Sequence, residues 1–167
     1  MNIRLELMTK ELARCYFKSF VLDPALFADE SKYQPYQYSD EKSDATVDRY
    51  RQMGRIYFVI MLDGEPIGEI VLKQIDHEKK SCAMGITMRS DEFKNKGYGT
   101  KAELLALEYI FEMLEFDTAY ADTLLKNTRS QHVLMKVGFR ETSRDDSFVY
   151  YSCDKTAWKT TNELIQA

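Results

Sequence analysis

The chain has 167 residues, of which 44% are apolar and 13% aromatic, which is enough material for one hydrophobic core, so we predict a single domain over residues 1–167. A net charge of −4 and an isoelectric point near 5.3 argue against a nucleic-acid binder, because such proteins usually present a basic face. The sequence has no signal-peptide pattern and no run of about 18 apolar residues, which predicts a cytoplasmic protein that does not enter the membrane.

Periodicity and caps predict the first elements. Ile3, Leu5 and Leu7 alternate with polar residues, which is the period of a strand with one buried face. After Thr9, a potential helix cap, apolar residues recur at the spacing of a helix. The predicted elements are a strand over 3–7, a helix from a cap at Thr9 to near residues 23–24, an irregular loop over 27–46, and a helix over about 43–53 capped by Ser43 or Asp44.

Turn signals divide the remainder of the chain into short strands and helices. In chain order we predict strands over 56–62, 67–75 and 81–88, a long helix over 99–116, a strand over 118–124, a short helix over 128–137, a hairpin within 139–153 and a closing helix over 154–165. The long helix carries a polar stripe of Lys101, Glu108, Glu112 and Glu115, with Glu103 apart from it. One strand–helix–strand crossover inside a mostly antiparallel meander predicts an α+β fold.

The segment Lys94-Asn95-Lys96-Gly97-Tyr98-Gly99 lies between a predicted strand and the long helix. Glycine at 97 and 99 lets a ligand approach the backbone, and the first N–H groups of a helix have no partner of their own. This pattern predicts an anion site, most simply for phosphate. A dinucleotide-binding loop would need three glycines, with an acidic residue about 20 positions on at the end of the next strand, and this loop does not match that fingerprint. No Gly-Lys-Ser/Thr follows the loop, which excludes a Walker loop.

Two motifs resemble the GNAT family of acetyl-CoA-dependent N-acetyltransferases, especially the branch containing the ribosomal-protein alanine acetyltransferases. Lys94, Gly97 and Gly99 occupy the family's Arg/Gln, Gly and Gly/Ala places, although lysine departs from the first. Residues 127–130 and 136–139 look like the family's Asn-x-x-Ser and Lys-x-Gly-Phe segment. The resemblance covers roughly residues 55–153.

The resemblance implies a mixed, mostly antiparallel sheet of six to seven strands, flanked by helices, whose fourth and fifth strands splay apart around acetyl-CoA. The amides from Asn95 to Thr100 would cradle the pyrophosphate, and the strand ending at Met88 would lie beside the pantetheine arm. Asn127 would contact the ligand, cap the following helix, or do both. The implied cofactor-binding residues are Met88, Lys94, Asn95, Lys96, Gly97, Tyr98, Gly99, Thr100, Asn127 and Ser130.

For catalysis, the resemblance implies a strand amide near Met88 that polarises the acetyl carbonyl. Many relatives have a tyrosine that protonates the leaving thiolate, but Leu134 stands at that position. Ser130 is the substitute donor, or only a helix residue or cofactor contact. Glu69 and Asp122 are the two strand carboxylates that can act as a base if they face inward.

For the acceptor, family members usually build the pocket from the first helices and their connection, so Tyr33, Tyr36 and Tyr38 either line it or pack a surface loop. The expected acceptor is an amine of a small molecule, a peptide or a protein N-terminus, and a homodimer is one expected assembly. The histidines do not pair, so no metal is expected. The predicted function is an N-acetyltransferase, with a non-catalytic acyl-CoA sensor or scaffold as the alternative.

Overall fold

The computed structural model describes residues 2–167, which form one seven-stranded sheet flanked by five helices. The elements are β1 (Ile3–Leu7), α1 (Lys10–Lys18), α2 (Asp40–Gln52), β2 (Ile56–Leu62), β3 (Glu65–Asp76), β4 (Ser81–Met88), α3 (Tyr98–Glu108), β5 (Thr118–Leu124), α4 (Thr128–Val137), β6 (Arg140–Arg144), β7 (Phe148–Asp154) and α5 (Lys155–Gln166). The predicted α+β class and strand number are confirmed. No helix within the described residues is both long and apolar enough to span a bilayer.

The sheet has the order β1-β2-β3-β4-β5-β7-β6, and β4 and β5 are its parallel pair. Their pairing is short, because it joins only Ser81–Ala83 to Thr118–Tyr120. Beyond Ala83 the remaining residues of β4 pair with β3 alone, and β5 continues against β7. The two central strands therefore splay apart, as the sequence resemblance predicted.

Both faces of the sheet are covered, and β2 shows why. Its run Ile-Tyr-Phe-Val-Ile-Met-Leu is apolar throughout because alternate residues enter two different cores. Phe58 and Ile60 pack in the larger core with α3, whereas Tyr57 and Val59 pack with α1 and α2. The sheet thus separates an α3 side from an α1/α2 side.

Helix boundaries near the N-terminus differ from the prediction. The cap at Thr9 is confirmed, but α1 ends at Lys18 rather than near residue 23. The second helix begins at Asp40, because the hydroxyl of Ser39 accepts the Lys42 N–H at 3.1 Å and two acidic residues occupy the first turn. Ser43 is buried inside that helix and is not its cap. The irregular segment therefore spans residues 19–39 rather than 27–46, and it contains short 3₁₀ turns at Pro24–Leu26 and Glu30–Lys32.

The long helix is also not uniform. The α-helical part ends at Glu108 and continues as a π-helical turn over Tyr109–Met113. Glu115, at a φ of 55°, breaks the helix before β5. The prediction of one α-helix over 99–116 was therefore right at its start and wrong at its end, because the last turn is π-helical and stops at Met113.

Gly138 ends α4 in a conformation that side chains disfavour, with φ of 116°. A Cβ there would lie 3.2 Å from Oγ1 of Thr161 and 3.5 Å from Sγ of Cys153. We expect Gly138→Ala to lower the free energy of unfolding by about 2–3 kcal/mol, measured by urea denaturation.

The matched control is Gly54→Ala, at a φ of 67° with no atom within 4 Å of the added methyl group. It should cost only about 1 kcal/mol, because a left-handed conformation is the only penalty. Equal losses in the two variants would contradict the role of crowding at Gly138.

Candidate active site

A cavity of about 690 Å³ opens where β4 and β5 separate, a volume within the usual range for ligand pockets. Three parts of the chain form its walls: the end of β4, the loop that leads into α3, and the N-terminal half of α4. The residues that line it include Asp23, Thr87, Met88, Lys94, Asn95, Gly97, Gly99, Thr100, Glu103, Asn127, Arg129, Ser130, His132 and Lys136. The structure therefore brings together most of the cofactor-binding residues that the sequence suggested.

The N-terminus of α3 faces this cavity with unpartnered amides. Gly97 caps the helix in a left-handed conformation at φ 81° and provides no side-chain hydrogen bond. Lys101 is the first residue whose N–H donates within the helix, to the Gly97 carbonyl at 3.0 Å. Between residues 2 and 167, no recorded acceptor takes the N–H groups of 95–100. These donors fit an anion.

The space in front of these amides is open. A Cβ placed on Gly97 would meet no atom within 4 Å, and one on Gly99 would meet only Cδ1 of Ile86 at 3.8 Å. The absence of side chains at both positions thus leaves room for a phosphate group at the helix end. Of the other loop residues, Lys96 is exposed outside the cavity wall, and Tyr98 packs its ring against the core, so Tyr98 can offer only its amide.

Lys94 borders the cavity, but its charge is already compensated. Its Nζ binds the Asp23 carboxylate and lies 2.6 Å from Oδ1 of Asp91. Only 11% of the side chain is exposed. The hydrogen bond from Lys94 lowers the pKa of Asp23, so this carboxyl stays ionised. Lys94 therefore fixes the loop to the segment after α1. Its ammonium group already pairs with two carboxylates, so a bound ligand would compete with them for its charge.

Arg129 and Lys136 on α4 supply positive charge that the sequence analysis did not assign to the site. Both border the cavity, as does His132 between them. They are spaced by three and four residues, which places them on one face of a helix. That spacing after the Asn127 cap was the signal that could have identified them from the sequence.

Asn127 caps α4 and borders the cavity at the same time. Its Oδ1 accepts the N–H of Ser130 at 3.1 Å, which leaves the side-chain NH₂ group available to a ligand. The two alternatives left open by the sequence are therefore compatible. Ser130 borders the cavity from the first turn of the same helix, whereas Leu134 is buried in the core and offers no proton.

Glu69 lies on the α1/α2 side of the sheet. It is paired in register with Thr87 of β4, which borders the cavity, and it accepts a hydrogen bond from the hydroxyl of Tyr57. Burial raises the pKa of Glu69 to about 7, although the bond from Tyr57 acts in the opposite direction. A carboxyl with this pKa can exchange protons near neutral pH.

Aromatic side chains surround this carboxyl. Burial first, and then the charge of Glu69, raises the pKa of both Tyr16 and Tyr36. The hydroxyls of these two tyrosines are buried and find no hydrogen-bond partner in the described part of the chain. Tyr36 is held there by Phe17, whose ring stacks on it at 5.3 Å.

The three loop tyrosines do not form one cluster. Tyr36 packs near Glu69, but Tyr38 bonds Asp40 at the start of α2, and its ring lies 5.8 Å from Nζ of Lys18. Tyr33 packs edge-on against Phe27 at 6.1 Å. Of the three, Tyr36 is the one that the structure places beside a candidate catalytic group.

Asp122 does not face inward. It is exposed on the outer face of β5, where it pairs in register with Tyr150 of β7. The expectation that it could act as a base was wrong, because the strand turns the neighbouring residues Ala121 and Thr123 into the protein and leaves Asp122 exposed on the opposite face.

Glu103 is a buried acid of α3. From the sequence it was expected only to lie apart from the polar stripe of that helix, and no function was predicted for it. It is 1% exposed, and its Oε2 has no hydrogen-bond partner within residues 2–167. Burial raises the pKa of Glu103 to about 8. Its side chain borders the cavity from α3.

Glu69 and Glu103 give a testable dependence of stability on pH. A carboxyl whose pKa is raised on folding favours the folded state below its unfolded pKa, near 4.5, and loses that contribution as the pH rises through its folded pKa. We expect the free energy of unfolding to fall between about pH 5 and about pH 8, and Glu103→Gln to flatten this decline.

Urea denaturation at several pH values measures the effect. Glu108→Gln is the matched control, since Glu108 lies exposed on the same helix and should leave the slope unchanged. If the free energy of unfolding of Glu103→Gln declined with pH as steeply as that of the unmodified protein, Glu103 would have to be ionised in the folded protein across this pH range.

Comparison with known proteins agrees with this geometry. Residues 2–140 match the family described as "Acetyltransferase (GNAT) domain". Spermidine N(1)-acetyltransferase of Escherichia coli (strain K12) is 30% identical over 106 residues, covering 64% of this chain and 56% of that protein. The chain therefore spans little more than half the length of that relative.

Two further proteins extend the comparison. The Bacillus subtilis (strain 168) protein named "Putative ribosomal N-acetyltransferase YdaF" is 28% identical over 121 residues, covering 66% of each chain. A spermidine N-acetyltransferase SpeG chimera from Vibrio cholerae and hSSAT superposes with a TM-score of 0.75 at 17% identity, covering 95% of this chain and 99% of that one. The last likeness concerns the fold alone. Because the family match spans most of its length, the chain belongs to the GNAT acetyltransferase family.

Proposed function

We propose that this protein transfers an acetyl group from acetyl-CoA to a primary amine. The observation that carries the proposal is the position of Glu69, whose in-register partner on β4 is the cavity residue Thr87. Paired residues on adjacent antiparallel strands lie about 5 Å apart at Cα. Glu69, on the α1/α2 side of the sheet, therefore lies next to the cofactor cavity at the end of β4.

The donor would enter on the α3 side. Its pyrophosphate fits the amides of 95–100, with Lys96, Arg129 and Lys136 as nearby positive charges. The pantetheine arm fits the gap beyond Ala83, where backbone groups of β4 can pair with its amides as a neighbouring strand would. Asn127 would contact the arm from the opposite wall.

The chemistry follows from these positions. Glu69 accepts a proton from the ammonium group of the acceptor, and the neutral amine attacks the acetyl carbon. The amide of Met88 stabilises the negative charge that develops on the carbonyl oxygen. The C–S bond then breaks, and Ser130, which borders the cavity, gives the leaving thiolate a proton. The nitrogen loses its second proton as the amide forms, and that proton restores the Ser130 hydroxyl, while Glu69 releases the first proton to solvent.

The acceptor class is inferred from charge and aromatic rings. Glu69 beside Tyr16, Tyr36 and Tyr57 combines one carboxylate with several aromatic rings, which suits a cationic amine. Tyr33 and Tyr38 are more distant parts of the same segment and would border a longer acceptor. A polyamine fits this arrangement, and the Escherichia coli relative named spermidine N(1)-acetyltransferase supports that choice.

One observation favours a second candidate, a non-catalytic acyl-CoA sensor. Leu134 is buried and leaves α4 without the phenol that many relatives use. A sensor, however, has no need of a carboxyl with a pKa near 7 on the acceptor side. Glu69 therefore favours the enzyme.

The cofactor proposal predicts thermal stabilisation. Acetyl-CoA at about 100 times its Kd should raise Tm by about 5 °C or more, since binding to the native state alone shifts the equilibrium. Gly99→Glu should abolish the rise, because the new carboxylate fills the open space and repels phosphate. Lys101→Ala, an exposed change two residues along the same helix, should retain it. Equal shifts in all three proteins would exclude the phosphate cradle.

The catalytic proposal predicts that Glu69→Gln lowers kcat about 10²-fold or more with spermidine, because the amide cannot accept the proton. Thiol release from acetyl-CoA measures the rate. Asp122→Asn, a carboxyl-to-amide change on the exposed face of β5, should leave kcat unchanged.

The pH profile separates catalysis from structure. Rates should rise with pH through about 7 in the unmodified protein, and Tyr57→Phe should move this limb to higher pH, because it removes the hydrogen bond that lowers the pKa of Glu69. Full activity of Glu69→Gln would eliminate Glu69 as the base.

A further inference from the structure

Glu103 is a carboxyl buried where the chain provides no partner for it. It lies in the second turn of α3 beside Ala102, Ala106 and Leu107, which are all fully buried in the larger core. Its Oε2 makes no hydrogen bond within residues 2–167. Buried polar groups in proteins are nearly always hydrogen-bonded, so this exception needs a physical explanation.

An ion pair does not provide that explanation. Among the salt bridges recorded for the described residues, none involves Glu103, although Arg129, His132 and Lys136 border the same cavity from α4. An apolar side chain of the same length would fill this place without the cost of desolvating a carboxyl. The side chain also borders the cavity, so a partner can reach it from there.

The position of Glu103 along α3 indicates which part of a ligand it would meet. It is four residues beyond Gly99, about 6 Å deeper along the helix axis than the open amides. At that depth a group lies past the phosphate cradle, and an acid close to phosphate would be repelled. The ligand there must instead be neutral and able to form hydrogen bonds.

We propose that Glu103 is a binding residue for the pantetheine arm of acetyl-CoA, and that its carboxyl group hydrogen-bonds an amide of that arm from the α3 wall. This inference rests on the proposed function, because it takes acetyl-CoA as the occupant of the cavity. A protonated carboxyl has one donor and spare acceptor capacity, which matches the C=O and N–H of an amide. The edge of β4 would hold the arm from one side and Glu103 from the other.

The protonation state agrees with this role. Burial raises the pKa of Glu103 to about 8, so the group keeps its proton at neutral pH and can donate. The corresponding charged form would place an unpaired carboxylate against a neutral amide.

Calorimetric titration with two ligands tests the proposal. Acetyl-CoA carries the pantetheine arm, whereas 3′-phospho-ADP has the nucleotide and pyrophosphate alone. Glu103→Met should weaken acetyl-CoA binding about tenfold and leave 3′-phospho-ADP binding within about twofold, since only the first ligand loses a hydrogen bond. Glu103→Gln should stay within about threefold for both, because the amide keeps a donor and an acceptor.

The control is Glu108→Met, which places the same side chain on the exposed face of α3 and should change neither affinity. Melting curves without ligand verify folding, and Glu103→Leu replaces the methionine variant if that variant is unfolded. Unchanged acetyl-CoA affinity in Glu103→Met, or an equal loss for both ligands, would overturn the inference. Failure of the unmodified protein to bind acetyl-CoA would instead overturn the proposed function.

Discussion

The site depends on the early end of the pairing between β4 and β5. After three residues of parallel contact, the edges of two central strands face each other without a ladder between them. Backbone N–H and C=O groups away from water need partners, so a gap of this kind inside a sheet requires an occupant or solvent. The cavity, the two helices that enclose it and the buried acids around it are all arranged about that gap.

Separate anchors hold the two strands apart. Arg89, directly after β4, donates to the Pro66 carbonyl at 2.8 Å and to Oε1 of Glu65 at 2.5 Å, so the end of β4 stays with β3. On the other side, Nε2 of Gln131 donates to the carbonyls of Leu124 and Leu125 at 3.1 and 2.8 Å, which fastens the end of β5 to α4. Because both anchors act on strand ends, the splay is a property of the folded chain and does not require a ligand to open it.

Local signals made much of this fold predictable from the sequence. Thr9, Asn127 and Gly138 are caps whose chemistry is determined by neighbours in the chain, and the glycine loop before α3 was identified in the same way. The start of α2 was missed because Ser39 and Ser43 both match a cap. Tertiary packing decides between them, since Ser43 is fully buried between the helix and the rest of the protein, whereas the Ser39 hydroxyl accepts the Lys42 N–H.

Other features could not be predicted because they depend on distant parts of the chain. The ion pair of Lys94 joins residues 71 apart in the sequence, and no local pattern shows it. Whether Asp122 faces inward follows from the register of β5 against β7. Glu103 is a different case. The sequence showed that it lies apart from the polar stripe of α3, but only the structure shows that it is buried beside the cavity.

A crystal structure of the protein with coenzyme A bound would test most directly whether the gap between β4 and β5 is the donor site. The pyrophosphate should lie on the amides of residues 95–100, and the pantetheine arm should run between Met84–Met88 and the end of β5, with its thiol near Met88. A ligand bound elsewhere on the protein, with the gap filled only by water, would contradict this placement.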